Sequence, residues 1–223
     1  MLLAFDTATP FVTVALYGTG SEGDGADREP GVVAERRSEQ PMKHGEQLAP
    51  LIEAVLSDAG IVRQDLTAIA VGVGPGPFTG LRVGLVTART LALVLELPVY
   101  GVCSLDVVAV EAAQGAHPIG RDFSVATDAR RKEVYLATYD EQGRRLDGPE
   151  VVRPADAATE GPVAGEGPLL YPESFPHAHD PVRPSAGWLA RSVAEELAEL
   201  YDPEPMYLRR PDAVAPGLPK RVL

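Results

Sequence analysis

Residues 66–97, LTAIAVGVGPGPFTGLRVGLVTARTLALVLEL, permit few folds. The apolar run Ile69–Val73 stops at Gly74-Pro75-Gly76-Pro77, and a long, nearly all-apolar segment follows and ends before Pro98. A strand, a tight turn and a buried helix satisfy that pattern. Val99–Cys103 supplies a second apolar run. The stretch therefore closes a βαβ crossover of about 30 residues, the usual size of such a unit. Gly80, Gly84, Ala88 and Ala92 recur at a spacing of four and share one helix face. Glycine inside a helix costs up to about 1 kcal/mol against alanine. This ridge of small side chains predicts a close approach, by a second helix of the same chain or by a partner subunit. Leu81, Val83, Leu85, Val86, Leu91 and Leu93 make the rest apolar nearly all round, as in a helix buried on most sides. Arg82 and Arg89, seven apart, lie on one side, as solvated charges or as partner contacts.

A chain of 223 residues holds one large or two small domains. Its single cysteine, Cys103, excludes an internal disulfide and a cysteine-rich zinc site, and its apolar neighbours make it a core residue. The start, MLLAFD, lacks the basic lead of a secretory signal. No unbroken run of 18 apolar residues occurs, so no membrane span is expected, and the expected location is the cytoplasm. The net charge of −12 argues against direct, autonomous nucleic-acid binding, which draws most of its affinity from phosphate contacts. An acidic surface suits a protein partner with a basic face.

Leu2–Asp6 and Phe11–Tyr17 read as a hairpin around the turn Thr7-Ala8-Thr9-Pro10. Residues 18–31, rich in Gly and Asp, read as a flexible loop before a third strand, Val32–Arg37. Leu48, Leu51, Ile52, Val55, Leu56 and Ala59 mark an amphipathic helix stopped by Gly60. Pro50 is expected near its first turn, and His44 just before it as a cap or surface residue, or as a ligand or partner contact. Ser104–Gln114 reads as a helix capped by Ser104, with Asp106 at its positive end. Residues 115–121 form the expected domain boundary. A second hairpin, Phe123–Asp128 and Glu133–Asp140, resembles the first: Asp6 and Asp128 each precede a β-rich run by six residues. That spacing hints at a duplication. Residues 141–183 give little beyond a short strand near Pro162–Gly167. Pro184–Leu200 reads as a helix, and 205–212 as a short extended tail.

The chemistry inventory is thin. The Gly74–Pro77 loop opens a helix, where backbone N–H groups bind phosphate, but Pro75 and Pro77 remove two donors and no phosphate-loop motif is matched. Asp6 and Asp128 are either turn aspartates or holders of Mg²⁺ beside a nucleotide. The four histidines, His44, His117, His177 and His179, are scattered through loops, so no metal site is expected. No nucleophile elbow exists.

The runs FDTATPFVTVAL, HGEQLAPLIEAVLSDAG, IAVGVGPGPFTGLRVGLVTARTLAL, GVCSL, TDARRKEVY and YLRRPDA, in this order, resemble the TsaB (YeaZ) family over nearly the whole chain. The resemblance implies an α/β fold of two actin-like, Hsp70-like (ASKHA, RNase H-like) domains related by duplication, here residues 1–115 and 121–223. It implies a role in making threonylcarbamoyladenosine beside the tRNA anticodon, as a non-catalytic scaffold and activating, dimerisation subunit. The implied partners are a TsaD-like catalytic subunit and a TsaE-like ATPase, with a homodimer when alone. No cofactor of its own is implied, ATP and metal belonging to the partners. TsaD-like sequences carry Asn-His-Leu-Glu-Gly-His where this chain has Cys103-Ser104-Leu105-Asp106-Val107-Val108. Ser104 and Val108 replace the two metal-binding histidines, so no catalytic residue is expected. The resemblance also implies contact through helices 44–60 and 78–95, with Leu48, Leu51, Ile52, Val55, Gly80, Arg82, Gly84, Ala88, Arg89 and Ala92 at the interface. On that view Gly84→Leu abolishes assembly and spares the fold. The alternative is an actin-like ATPase or kinase, with Asp6, Thr7, Thr9, Gly74, Gly76 and Asp128 around Mg-nucleotide. A peptidase reading finds no nucleophile or metal pair.

Overall fold

The computed structural model describes residues 1–18, 20 and 30–209. Most of the expected loop at 18–31, and the end of the tail from 210, lie outside the described residues. β1 (Leu2–Asp6), β2 (Thr13–Gly18) and β3 (Gly31–Arg37) form an antiparallel meander. In β1, Leu3 and Phe5 enter one core while Leu2 and Ala4 enter another, as the two-residue period of a strand requires. Burial on both faces explains why the run has no polar alternation. α1 (His44–Ala59) ends on Gly60 in the left-handed region, φ 66°, which only glycine enters without cost. Pro50 lies well inside α1 rather than in its first turn. It and Glu46 are exposed, so solvent can satisfy the carbonyl that proline leaves unbonded.

β4 (Ala68–Gly74) lies parallel to β1, α2 (Phe78–Leu95) crosses over, and β5 (Val99–Cys103) lies parallel to β4. α3 (Ser104–Gln114) then leads to β6 (Phe123–Asp128), β7 (Val134–Tyr139) and β8 (Arg145–Val152). β9 (Val163–Ala164), α4 (Gly167–Leu170), β10 (Ala178–His179), α5 (Ala186–Ala194) and β11 (Leu200–Tyr201) complete the chain. Among the described residues the strands make two sheets, ordered β11-β5-β4-β1-β2-β3 and β10-β9-β6-β7-β8. Without β11 the two orders are the same. In each, a three-strand meander is extended by two strands on the far side of its first strand, and those two run parallel. The duplication suggested by two hairpins thus extends to whole sheets.

α1 and α2 cover one face of the first sheet and α5 the other. α3 lies between the sheets: Val107 enters the core of the first, Val108, Ala109 and Ala112 that of the second. Service to both cores explains why α3 carries little polar surface. α5 stops at Ala194, short of the expected Leu200, because Glu196 turns left-handed, φ 54°. Leu200 and Tyr201 then pair with β5. The sequence beyond 121 therefore builds the second sheet only to His179 and then returns to the first.

α2 is apolar and long enough, by length and composition, to cross a membrane, with a mean hydropathy of 1.5. Here one side of it packs on β4. The side that packs is the small ridge. A Cβ on Gly80 would stand 2.4 Å from the Thr7 carbonyl oxygen, and one on Gly84 2.3 Å from Thr7 Oγ1. Ala88 and Ala92 are buried in the same core. The expected close approach exists: what comes closest is the β1–β2 turn of the same chain, with His44 at the start of α1 beside it, 3.4 Å from the same Gly80 position. Leu48, Ile52 and Val55 are buried in that core and Leu51 packs half-buried against it. Their side chains are thus occupied inside the molecule.

Gly84→Leu is accordingly a folding mutation. Any side chain there must displace a buried threonine and the adjoining strand end. Gly80→Leu and Gly84→Leu are each expected to lose about 3 kcal/mol or more of stability, read by urea unfolding. A Gly84→Leu chain with the wild-type midpoint would contradict the inward packing.

Candidate functional site

The sequence motifs converge on the turn from Asp6 to Pro10. Asp6 is buried at the end of β1, where its Oδ1 accepts from the Ala8 N–H at 2.6 Å and its Oδ2 from the Ser104 hydroxyl at 2.6 Å. Ser104 is therefore not the cap of α3. Cys103 holds the cap position, and the Ser104 hydroxyl is spent on Asp6. Gly72, on the neighbouring strand, leaves room for this carboxylate, since a Cβ there would fall 1.9 Å from Oδ2. Burial pushes the Asp6 carboxyl above its usual range despite the two donors. Thr7 donates from Oγ1 to the Gly80 carbonyl at 2.8 Å. His44, expected as a cap, surface residue or ligand contact, is buried at the start of α1 and bonds the Thr9 carbonyl through Nε2 at 2.7 Å. Gly76 lies against Ala8, whose carbonyl would be 2.3 Å from an added Cβ.

A cleft runs between the two sheets beside this turn. Thr9, Pro75 and Pro77 line it from the first lobe, and Asp128, Arg130 and Tyr135 from the second. Its volume is about 20 Å³, room for about one water. Asp128 accepts from the Arg130 N–H at 2.8 Å and pairs with the Arg130 guanidinium at 3.1 Å. The duplicated aspartates are thus not equivalent. Asp128 reaches the cleft, whereas Asp6 has both oxygens bonded beneath it. Of the six residues expected around Mg-nucleotide, the structure brings Thr9 and Asp128 to the cleft wall. Asp6, Thr7, Gly74 and Gly76 pack or bond beneath it. Among the described residues no group of three or more His, Cys, Asp or Glu side chains could hold a metal.

Sequence reasoning missed two features. Glu166, which lines the cleft, pairs with Arg183 at 2.6 Å, and the Arg183 guanidinium lies over the Phe11 ring at 4.8 Å, with Glu166 and Arg183 both in segments with no readable periodicity. The other is the outer side of α2. Phe78, Val86, Leu93 and Val94 are 41, 62, 81 and 71% exposed, and Arg82 and Arg89 are exposed among them. Steps of three and four put Phe78, Arg82, Val86, Arg89 and Leu93 on one face. The signal was present in the sequence as the complement of the small ridge.

Asp6→Asn tests the internal role of the turn. A carboxyl raised by burial contributes stability below its ordinary pKa of 3.8 and loses it as pH rises toward the folded value. Asparagine keeps an acceptor for Ala8 and a donor for the Ser104 oxygen. Urea unfolding is expected to show Asp6→Asn more stable than wild type at pH 7 and no more stable below pH 3.8. A less stable Asp6→Asn chain at pH 7 would contradict this account.

Residues 27–172 match the family model described as TsaD, tRNA N6-adenosine threonylcarbamoyltransferase. An uncharacterized protein of Mycobacterium tuberculosis is 41% identical over 215 residues, spanning 95% of this chain and 93% of that one. The tRNA threonylcarbamoyladenosine biosynthesis protein TsaB of Escherichia coli is 38% identical over 146 residues, 64% of this chain and 57% of that protein. The match thus spans little more than half of that TsaB. The solved structure of YeaZ from Pseudomonas aeruginosa has a TM-score of 0.71 and 28% identity, covering 93% of this chain and 99% of that one. A second Pseudomonas aeruginosa structure, described as similar to peptidase YEAZ, has a TM-score of 0.74 and 30% identity, covering the same shares. With two sheets of one strand order, these likenesses identify the fold as the two-lobed actin-like α/β fold, and the chain belongs to the TsaB (YeaZ) family.

Proposed function

We propose that the chain is a scaffold and activating subunit, itself non-catalytic, of the assembly that places threonylcarbamoyl on the tRNA adenosine beside the anticodon. It docks a TsaD-like catalytic subunit through the outer face of α2. The observation that carries this reading is the apolar stripe from Phe78 to Val94, left exposed while the small ridge is used inside. Large apolar side chains exposed together along one helix face mark an interaction site. The arginines within it, Arg82 and Arg89, are residue types that interfaces favour.

Ser104 and Val108, at the positions of the two histidines in TsaD-like sequences, are buried, the first bonded to Asp6 and the second within the core of the second lobe. In this proposal ATP and metal reside on the partners, a TsaE-like ATPase joins the assembly, and the free chain pairs with a second copy through the same face. The net charge of −12 suits contact with a protein rather than autonomous contact with tRNA, and the work is cytoplasmic. The ATPase alternative has less support, because Asp6 is bonded internally and the cleft is narrow.

Size exclusion with light scattering, on the chain alone and mixed with its TsaD-like partner, tests the proposal beside an ATP-turnover assay. A 1:1 complex is expected, with turnover only when partners are present. Val86→Glu and Leu93→Glu, both on exposed positions, are expected to keep the unfolding midpoint and weaken the complex about tenfold or more. Wild-type affinity in both variants, or ATP turnover by the chain alone, would overturn the reading.

A further inference from the structure

The segment after β11, which contains the Tyr207-Leu208-Arg209 motif, crosses from one lobe to the other at the rim of the cleft. It starts on the first sheet, where Leu200 and Tyr201 pair with β5. The Met206 N–H donates to the Val73 carbonyl at 2.8 Å, at the end of β4 just before the Gly74–Pro77 loop. Tyr207 stacks on Phe78, with ring centroids 5.2 Å apart and planes 25° apart. The Arg82 guanidinium lies 3.6 Å over the Phe78 ring, and its Nε donates to the Tyr207 hydroxyl at 3.2 Å. Two residues on, Arg209 pairs with Glu133 and donates to the Arg130 carbonyl at 3.5 Å, on the β6–β7 turn of the second lobe. Met206 packs against both main cores and Leu208 against that of the second lobe.

We infer that residues 202–209 form a clasp whose two ends are coupled: the state of the outer face of α2 sets how the second lobe closes over the cleft. This rests on the proposed docking of a TsaD-like subunit on that face. Two residues of chain span at most about 7 Å, so Tyr207 cannot leave Phe78 by far without pulling on Arg209. Arg209 in turn holds the turn that carries Arg130, a wall of the cleft. The Phe78–Arg82–Tyr207 cluster is itself part of the face, with Phe78 41% and Tyr207 40% exposed. A partner covering the N-terminal end of α2 must bury this cluster or displace it: displacement pulls on the second lobe through Arg209, and burial in place holds that link fixed. The fold thereby links an outer surface to an inter-lobe cleft without a deformation of the sheets.

Hydrogen–deuterium exchange on the full chain tests the clasp in two arms. In the chain alone, Tyr207→Ala is expected to speed exchange about two- to fivefold at the 129–134 turn, although the ring contacts of Tyr207 lie on α2. Arg209→Gln is expected to do the same at Met206 and the first turn of α2. Tyr207→Phe, which keeps the ring stack, is expected to stay near wild type at the turn. Effects confined to each variant's own contact would overturn the clasp. In the second arm the TsaD-like partner is added to the wild-type chain. Protection of residues 85–94 with a changed rate at 129–134 supports both docking and coupling. Protection of 85–94 with an unchanged turn overturns the coupling and leaves docking standing. No protection of 85–94 overturns the docking, and the first arm then decides the clasp alone.

Discussion

Thr7 is the point on which the first lobe depends. Its hydroxyl bonds the Gly80 carbonyl, and its own atoms fill the space that side chains at 80 and 84 would need. The turn it sits in is held from every side. α1 contributes His44, α2 its glycines, α3 the Ser104 hydroxyl and the Gly74–Pro77 loop the bare face of Gly76. A buried carboxylate, two oxygen-bearing turn residues and a set of glycines would ordinarily suggest phosphate or metal chemistry. Here the polar atoms satisfy one another, as buried polar groups must, and the glycines admit the turn's own backbone and side chains rather than ligand.

This use of the ridge decides what α2 has left to offer. An 18-residue helix packs one side on its sheet and leaves Val86, Leu93 and Val94 in solvent. Among the described residues nothing covers these side chains. Our proposal assigns their exposure to a partner and, through Tyr207 and Arg209, makes the same end of the helix sensitive to the second lobe. The cleft, nearly closed in this conformation, is then a place whose opening docking adjusts, and need not be a site of chemistry on this chain.

Much of the fold was legible because its elements are buried on patterns that sequence displays. Continuous apolar runs gave β1, β4 and β5, the stripe in 48–59 gave α1, and the repeated aspartate-to-strand spacing pointed to duplication. The failures have physical causes. β8, with Gly148, Pro149 and no fully buried side chain, lies at a sheet edge and carries no apolar period. The stretch after Ala194 kept a helical apolar pattern, yet strand pairing with β5 took Leu200. The small ridge was recognised but its neighbour was not, since spacing says that something comes close and cannot say what. The polar sites proved hardest. A hydroxyl at Ser104 reads as a cap, and only the fold places Asp6 within 2.6 Å of it.

The central claim is that the outer face of α2, and not its small ridge, is the docking surface. Hydroxyl-radical footprinting of the chain, with and without its TsaD-like partner, tests it most directly. The account predicts that Phe78, Val86 and Leu93 lose reactivity when the complex forms, together with Tyr207 at the end of the same face. A complex that forms while these side chains stay as reactive as in the free chain would contradict it.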